Sequence, residues 1–143
     1  MALTEIKTKT QHYFEDNNGL RHGEYKNWHE NGQLGVHCHY VNGDLHGEFN
    51  RWYVNGQLRE HCHFLNGDLH GEYKGWHVNG QLDVHCHFLN GELHGEYKWW
   101  HVNGQLYEHS IYVEGNKLDV DPAGLSDKEK FLLHIQHGDF QWL

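Results

Sequence analysis

Hydrophobic and polar residues alternate along this chain in short runs, and the runs return every 24 residues. The stretch "NGDLHGEYKGWHVNGQLDVHC" at residues 66–86 comes back as "NGELHGEYKWWHVNGQLYEHS" at residues 90–110. "NGQL" begins at Asn31, Asn55, Asn79 and Asn103, and "HGE" begins at His22, His46, His70 and His94. A second Asn-Gly series falls at Asn18, Asn42, Asn66 and Asn90. Each unit therefore carries two turn signals. Asn-Gly favours the φ > 0 backbone of a two-residue hairpin turn, and the Val, Tyr, Phe, Trp and Leu between the turns favour extended backbone. The pattern predicts two antiparallel strands per repeat, roughly eight or nine in all.

Residues opposite one another across a hairpin share a face, so the turns also predict a register. Around Asn79-Gly80 the expected pairs are His77–Leu82, Gly75–Val84, Tyr73–Cys86 and Gly71–Phe88. Around Asn90-Gly91 they are Phe88–Leu93, Cys86–Gly95, Val84–Tyr97 and Leu82–Trp99, so one apolar row continues from strand to strand. A three-residue turn at Val78-Asn79-Gly80 would exchange the faces on one side. The expected structural residues of the row are Cys38, Cys62, Cys86, Phe64, Phe88, Tyr73 and Tyr97, with Gly47, Gly71 and Gly95 placed so that a ring or a thiol covers their backbone. Arg51 and Glu60 enter this row opposite each other as a compensated pair, whereas Glu108 opposite Trp99 has no such partner.

The ends of the array break the pattern. Residues 1–17 form an N-terminal segment with a half-repeat strand near His12 to Asp16, residues 18–118 form the array, and residues 119–143 form a capping helix and tail. Pro122 stops strand pairing. Ser126 and Glu129 have the spacing of a capping box, Phe131, Leu132 and Ile135 follow at helical spacing, and His137-Gly138 suits a helix end. Such a helix is expected over the last strand or the apolar face. The fold class is all-β: an elongated, single-layer antiparallel meander of repeated β-hairpins with a short C-terminal α-helix as its cap.

Composition narrows what such a sheet does. Of 143 residues, 17 are Gly and 37% are hydrophobic, too little for a thick core. With 11 Lys plus Arg against 20 Asp plus Glu, the formal charge of −9 disfavours nucleic acid and anionic membrane as partners at neutral pH. The 17 His residues confine that argument to pH values near neutrality. No signal-peptide core and no stretch approaching about 20 apolar residues is present, so a cytoplasmic location is expected. Three cysteines, one per repeat, read as free thiols, because successive ones lie two strands apart, about 10 Å, beyond disulfide reach.

The candidate chemistry lies on the polar face. "HCH" is not a ligand triad, since a strand sends Cys62 to the opposite face from His61 and His63. The candidate interaction face is His39, Glu48, His61, His63, His70, Glu72, His85, His87, His94 and Glu96. The same register puts His63 between Glu48 and His70, His61 between Asn50 and Glu72, His87 between Glu72 and His94, and His85 between Lys74 and Glu96. The row of Trp28, Trp52, Trp76 and Trp100 falls on this face too. A solvated face of cross-strand His–Glu pairs is the favoured reading over zinc binding or a pH response. Every candidate acid and base recurs with the repeat, and no nucleophile motif is present, so no catalytic residue and no cofactor is assigned.

"NGxLHGEYKxW" followed by "NGQL" resembles the MORN repeat, whose "NG…HG" core is matched by Asn66-Gly67 with His70-Gly71 and their equivalents over residues 18 to about 118. The likeness is to the divergent variety found in antitoxin-like bacterial proteins and in large DNA viruses of amoebae. The chain departs from the usual unit by placing Tyr73 and Tyr97 where a second Gly is common, and by inserting "HCH". The resemblance implies a single-layer meander acting as an interaction scaffold, with no catalytic residues. The expected function is a non-enzymatic protein–protein interaction module binding one or more protein partners, with a homodimer as one way to bury its apolar row. The alternatives are an antitoxin-like regulator that neutralises a partner protein and a metal- or pH-responsive surface. If the protein is viral, the location becomes the host cytoplasm.

Overall fold

The computed structural model describes residues 1–130. The expected helical positions Phe131, Leu132 and Ile135 and the helix end at His137-Gly138 lie outside the described residues. Strands β1 (Thr4–Lys7), β2 (Gln11–Glu15), β3 (Gly23–Trp28) and β4 (Leu34–Val41) open one antiparallel sheet. It continues through β5 (Asp44–Leu45), β6 (Gly47–Trp52), β7 (Leu58–Leu65), β8 (Asp68–Leu69), β9 (Gly71–Trp76) and β10 (Leu82–Leu89). It ends with β11 (Glu92–Leu93), β12 (Gly95–Trp100), β13 (Leu106–Val113) and β14 (Asn116–Lys117). Spatial order follows chain order, so the sheet is a meander of 14 strands. The strand count exceeds expectation for two reasons. Each return strand is divided at His46, His70 or His94, and the N-terminal segment supplies a hairpin, β1 paired with β2, where one strand was expected. No helix among the described residues is long and apolar enough to cross a membrane.

The two Asn-Gly series make different turns. At Asn42-Gly43, Asn66-Gly67 and Asn90-Gly91 both residues have positive φ, about 50° and 85–89°, which is the two-residue hairpin turn anticipated from the sequence. At Asn79-Gly80 only the glycine does. Here the Gly80 N–H donates to the His77 carbonyl (2.9 Å) and the His77 N–H to the Gln81 carbonyl (2.8 Å), a three-residue turn. Asn79 is used for its side chain, whose Oδ1 accepts from the Gln81 N–H at 3.0 Å. The three-residue turn would exchange faces, but a bulge between Leu82 and Val84 restores them. The expected His77–Leu82 pair is therefore replaced by Trp76–Leu82, while Gly75–Val84, Tyr73–Cys86 and Gly71–Phe88 stand.

Across Asn90-Gly91 the pairing starts as expected at Phe88–Leu93, then slips by two residues, so that Val84 pairs with Trp99 and His85 with Lys98. The expected pairs Cys86–Gly95, Val84–Tyr97 and Leu82–Trp99 do not form. The slip comes where the return strand passes through His94-Gly95, with Gly95 at φ 100°. An even slip keeps every side chain on its face. It also corrects the role of the glycines: a Cβ built on Gly47 or Gly71 would meet nothing within 4 Å. Their positive φ, 87° and 89°, is what the chain needs there, not close packing.

The apolar face is built from edge-to-face aromatic pairs, Tyr25–Tyr40, Phe49–Phe64, Tyr73–Phe88 and Tyr97–Tyr112, with centroids 5.6–5.8 Å apart. Cys38, Cys62 and Cys86 pair directly with the first ring of the first three sets and are buried. Burial pushes their thiols up to about 11, 12 and 12, so they behave as small apolar residues. Arg51 Nε lies 3.6 Å from Glu60 Oε2, and the Tyr73 hydroxyl donates to Glu60 Oε1 at 2.9 Å. Glu108, expected to be unpartnered, accepts from Trp99 Nε1 (3.0 Å) and from Lys117 Nζ (2.6 Å).

The described part of the C-terminal segment, residues 119–130, packs on the other face. A 3-10 turn at Pro122–Gly124 packs on β13, with Pro122 buried. Ser126 and Glu129 then form the reciprocal capping box, at 2.7 and 3.2 Å, and the chain is helical from residue 127. Lys130 Nζ reaches Glu96 Oε1 at 2.7 Å, on the His/Glu face and not the apolar one. Ile111, opposite Glu96, is fully buried there, in the position that His87 occupies opposite Glu72.

Gly71→Ala is expected to lower the unfolding free energy by about 1–2 kcal/mol through backbone strain alone. Gly71→Asn is expected to lose less, because Asn tolerates positive φ. Urea denaturation of both variants checks this, and equal losses would contradict it.

Candidate functional site

Both edges of the sheet are held by hydrogen bonds that run from one repeat to the next. Along the "NGQL" edge, Asn31, Asn55 and Asn79 donate through Nδ2 to the carbonyls of Val54, Val78 and Val102. On the same edge His29 Nε2, the Tyr53 hydroxyl and His77 Nε2 bond to the carbonyls of Trp52, Trp76 and Trp100 at 2.7–3.0 Å. Along the opposite edge the backbone N–H of Asn42, Asn66, Asn90 and Glu114 donates to Nδ1 of His22, His46, His70 and His94 at 3.0–3.4 Å. The repeat spacing brings each turn beside its predecessor, and these side chains satisfy backbone groups that the strand ladder leaves unpaired.

This changes the composition of the expected face. His70 and His94 belong to the edge ladder through Nδ1, and His94 is buried, 2% exposed, while His70 stays partly exposed. A cleft of about 730 Å³ beside Lys7, Thr8, Lys9, Thr10 and Trp28 also touches His29, which the ladder already commits to the Trp52 carbonyl.

The remaining histidines and glutamates do share one face. His63 pairs with Glu48, His61 with Asn50, His87 with Glu72 and His85 with Lys74, as the register anticipated. On their other side the two-residue slip substitutes lysine for glutamate in both cases: His61 faces Lys74 instead of Glu72, and His85 faces Lys98 instead of Glu96. His39 lies opposite Glu24, and His37 Nε2 is 3.1 Å from Glu24 Oε2. The same diagonal contact joins His85 Nε2 to Glu72 Oε2 at 3.0 Å. In the second repeat Asn50 intervenes, with His61 Nδ1 at 2.6 Å from its Oδ1 and Glu48 Oε1 accepting from its Nδ2 at 2.9 Å.

These contacts set the electrostatics. The hydrogen bond from His37 holds Glu24 below the usual carboxylate range, and the bond from Asn50 does the same for Glu48. Burial pushes Glu72 and Glu96 up, but His85 with Lys74, and Lys130 with Lys98, outweigh it and leave both lowered. His87 is pushed down to about 4 by burial, helped by neighbouring His85 and opposed by Glu72 and Glu96. At neutral pH the face therefore carries ionised carboxylates beside a neutral, half-buried imidazole.

Two features escaped the sequence reading. Glu114-Gly115 repeats the two-residue turn, with φ 49° and 81°, although it lacks the asparagine that marks the others. The 24-residue offset from Asn90-Gly91 was the available signal. The change from "HCH" to "HSI" at residues 109–111 likewise marks the seat of the C-terminal cap.

The profile of the MORN repeat variant family matches residues 21–42, 45–66, 69–90 and 93–114, more than half of the chain. No curated protein matches it. Among solved structures the chain is similar to the crystal structure of TarM, with 13% identity and a TM-score of 0.29 over 74% of this chain and 21% of that one. The chain thus spans about a fifth of that protein's length, and so loose a likeness carries no argument.

Both kinds of shifted group make acid destabilising. The lowered carboxylates contribute stability above the ordinary carboxylate pKa and lose it as pH falls through their folded values. His87 is neutral in both states above its ordinary pKa of about 6.5, and its burial costs the folded state increasingly as pH falls from there toward about 4. Urea denaturation in chelator-containing buffer is expected to show stability falling from pH 7 to pH 4.5. His87→Gln is expected to flatten the upper part of that fall, and an unchanged slope in the variant would contradict the assignment.

Proposed function

The chain belongs to the MORN repeat variant family, and from that premise we propose that it is a non-enzymatic scaffold that binds another protein. The observation that carries this reading is the row of aromatic pairs on one face of a single-layer sheet. Tyr40, Phe64, Tyr73, Phe88, Tyr97 and Tyr112 are only half-buried, while the described C-terminal segment packs on the opposite face. A tiled row of rigid rings offers apolar area with little rotamer entropy to lose, which suits an extended protein surface. Val54, Val78 and Val102, each more than half exposed, extend that apolar character along the "NGQL" edge. The His/Glu face supplies a polar counterpart, through which a partner would be oriented more than anchored. The family is a non-catalytic repeat module of protein or membrane interaction, and the recurrence of every acid and base along the array supports the same conclusion here. The acidic chain favours a protein over an anionic membrane as the partner at neutral pH, and a cytoplasmic setting suits its free thiols. A second copy of the chain is one protein that could cover the aromatic row.

Phe64→Ser/Phe88→Ser and Glu48→Gln/His63→Gln test the two faces separately, by capture from native cells with mass spectrometry and by light scattering of the pure protein. The first variant is expected to keep its strand signal in circular dichroism and to lose its bound protein or its dimer. The second is expected to keep both. Retention of the partner by a folded aromatic-face variant would overturn the proposal, and Tyr40→Ser serves if the double variant does not fold.

A further inference from the structure

We propose that Glu72, His85 and His87 form a binding site for a zinc-like divalent cation, and that Glu24, His37 and His39 form a second, weaker copy of it. The inference does not rest on the scaffold reading. His85 and His87 are two residues apart on β10 and so share a face, while Glu72 on β9 stands directly opposite His87. One ligand atom from each of the three lies within 4.8 Å of the others, and His85 Nε2 is already 3.0 Å from Glu72 Oε2. Zinc bonds of about 2.0–2.2 Å place neighbouring ligand atoms roughly 3.3–3.5 Å apart, so side-chain torsions suffice to close the set around an ion. Two imidazoles and a carboxylate are the borderline donors that zinc accepts, and water would complete four-coordination.

The substitutions among the repeats sharpen the argument. The same set recurs at Glu24, His37 and His39, 48 residues earlier, with His37 Nε2 at 3.1 Å from Glu24 Oε2. The second repeat has the residue types, Glu48, His61 and His63, but Asn50 replaces the lysine found at Lys26 and Lys74 and takes His61 Nδ1 at 2.6 Å. In the fourth repeat Ile111 stands in the place of His87, and Lys130 engages Glu96 at 2.7 Å. Among the described residues the complete set is thus found twice. The two carboxylates are equally exposed, but His87 is partly buried whereas its counterpart His39 is exposed, which ranks the two sites. Lys74 Nζ sits 3.7 Å from Glu72 Oε1, on the carboxylate oxygen that does not face His85, and is the cation an incoming metal must compete with.

Tag-free protein stripped with chelator and titrated with zinc chloride in a calorimeter tests this. Two saturable sites per chain are expected. His85→Gln/His87→Gln is expected to abolish the tighter one and His37→Gln/His39→Gln the weaker, while His61→Gln/His63→Gln leaves both unchanged. Lys74→Gln is expected to tighten the first site by roughly threefold to tenfold, since it removes a nearby positive charge. Cobalt(II) at saturation is expected to give the intense visible bands of four-coordination in the parent protein and about half that intensity in Glu72→Gln, from the remaining site, and this variant also serves if the double histidine variant does not fold. Absence of saturable uptake, or an equal loss in the His61→Gln/His63→Gln variant, would overturn the proposal.

Discussion

A sheet one layer thick has no second layer to bury its turns, so its integrity depends on each turn being hydrogen-bonded to the one before it. His46, His70 and His94 accept from the following turn on one edge, and Asn31, Asn55 and Asn79 donate to the following loop on the other. This is why the repeat conserves its turn residues along the array more strictly than its strand residues. Strand positions tolerate Arg51 for Gly75 or Glu60 for Val84, because a cross-strand partner can compensate. A turn position has a backbone group to reach at a fixed distance, which only a residue with a polar atom placed there can do, as Tyr53 does in place of His29 and His77.

The edge bonds also dictate the register. For the turn at Asn90-Gly91 to lie beside its predecessor, the return strand carries two extra residues at His94-Gly95, and a left-handed glycine takes up the displacement. On the other edge a three-residue turn and a bulge offset each other. Both adjustments are even in their effect on side-chain direction, so the aromatic and the His/Glu faces stay separate over the whole array. That separation gives the molecule two chemically distinct surfaces with no intervening core.

Departures from the repeat mark where the tiling acquires local character. Arg21 replaces the leucine of later repeats and lies over the rings of Tyr13, Tyr25 and Tyr40, closing the aromatic row at its first end. Asn50 ties up His61 and Glu48, removing a metal-competent set from the second repeat. Ile111 converts a polar position into the seat of the C-terminal segment. Each is a single-residue change on an unchanged backbone, so the array can vary its surface without altering its fold.

The sequence by itself determined the fold class, the hairpin periodicity, the assignment of side chains to faces and the capping box at Ser126. These follow from local rules: Asn-Gly backbone preference, period-two alternation and capping geometry. The identity of cross-strand neighbours was decided only in three dimensions. The slip at His94-Gly95, the burial of His94, the use of His70 Nδ1 in the edge ladder and the partners of Glu108 all depend on how turns stack between repeats. That stacking is a distance condition between residues about 20 positions apart, and no residue's own preference encodes it. Alternation survives a slip of two, and so the faces could be read while the pairs could not.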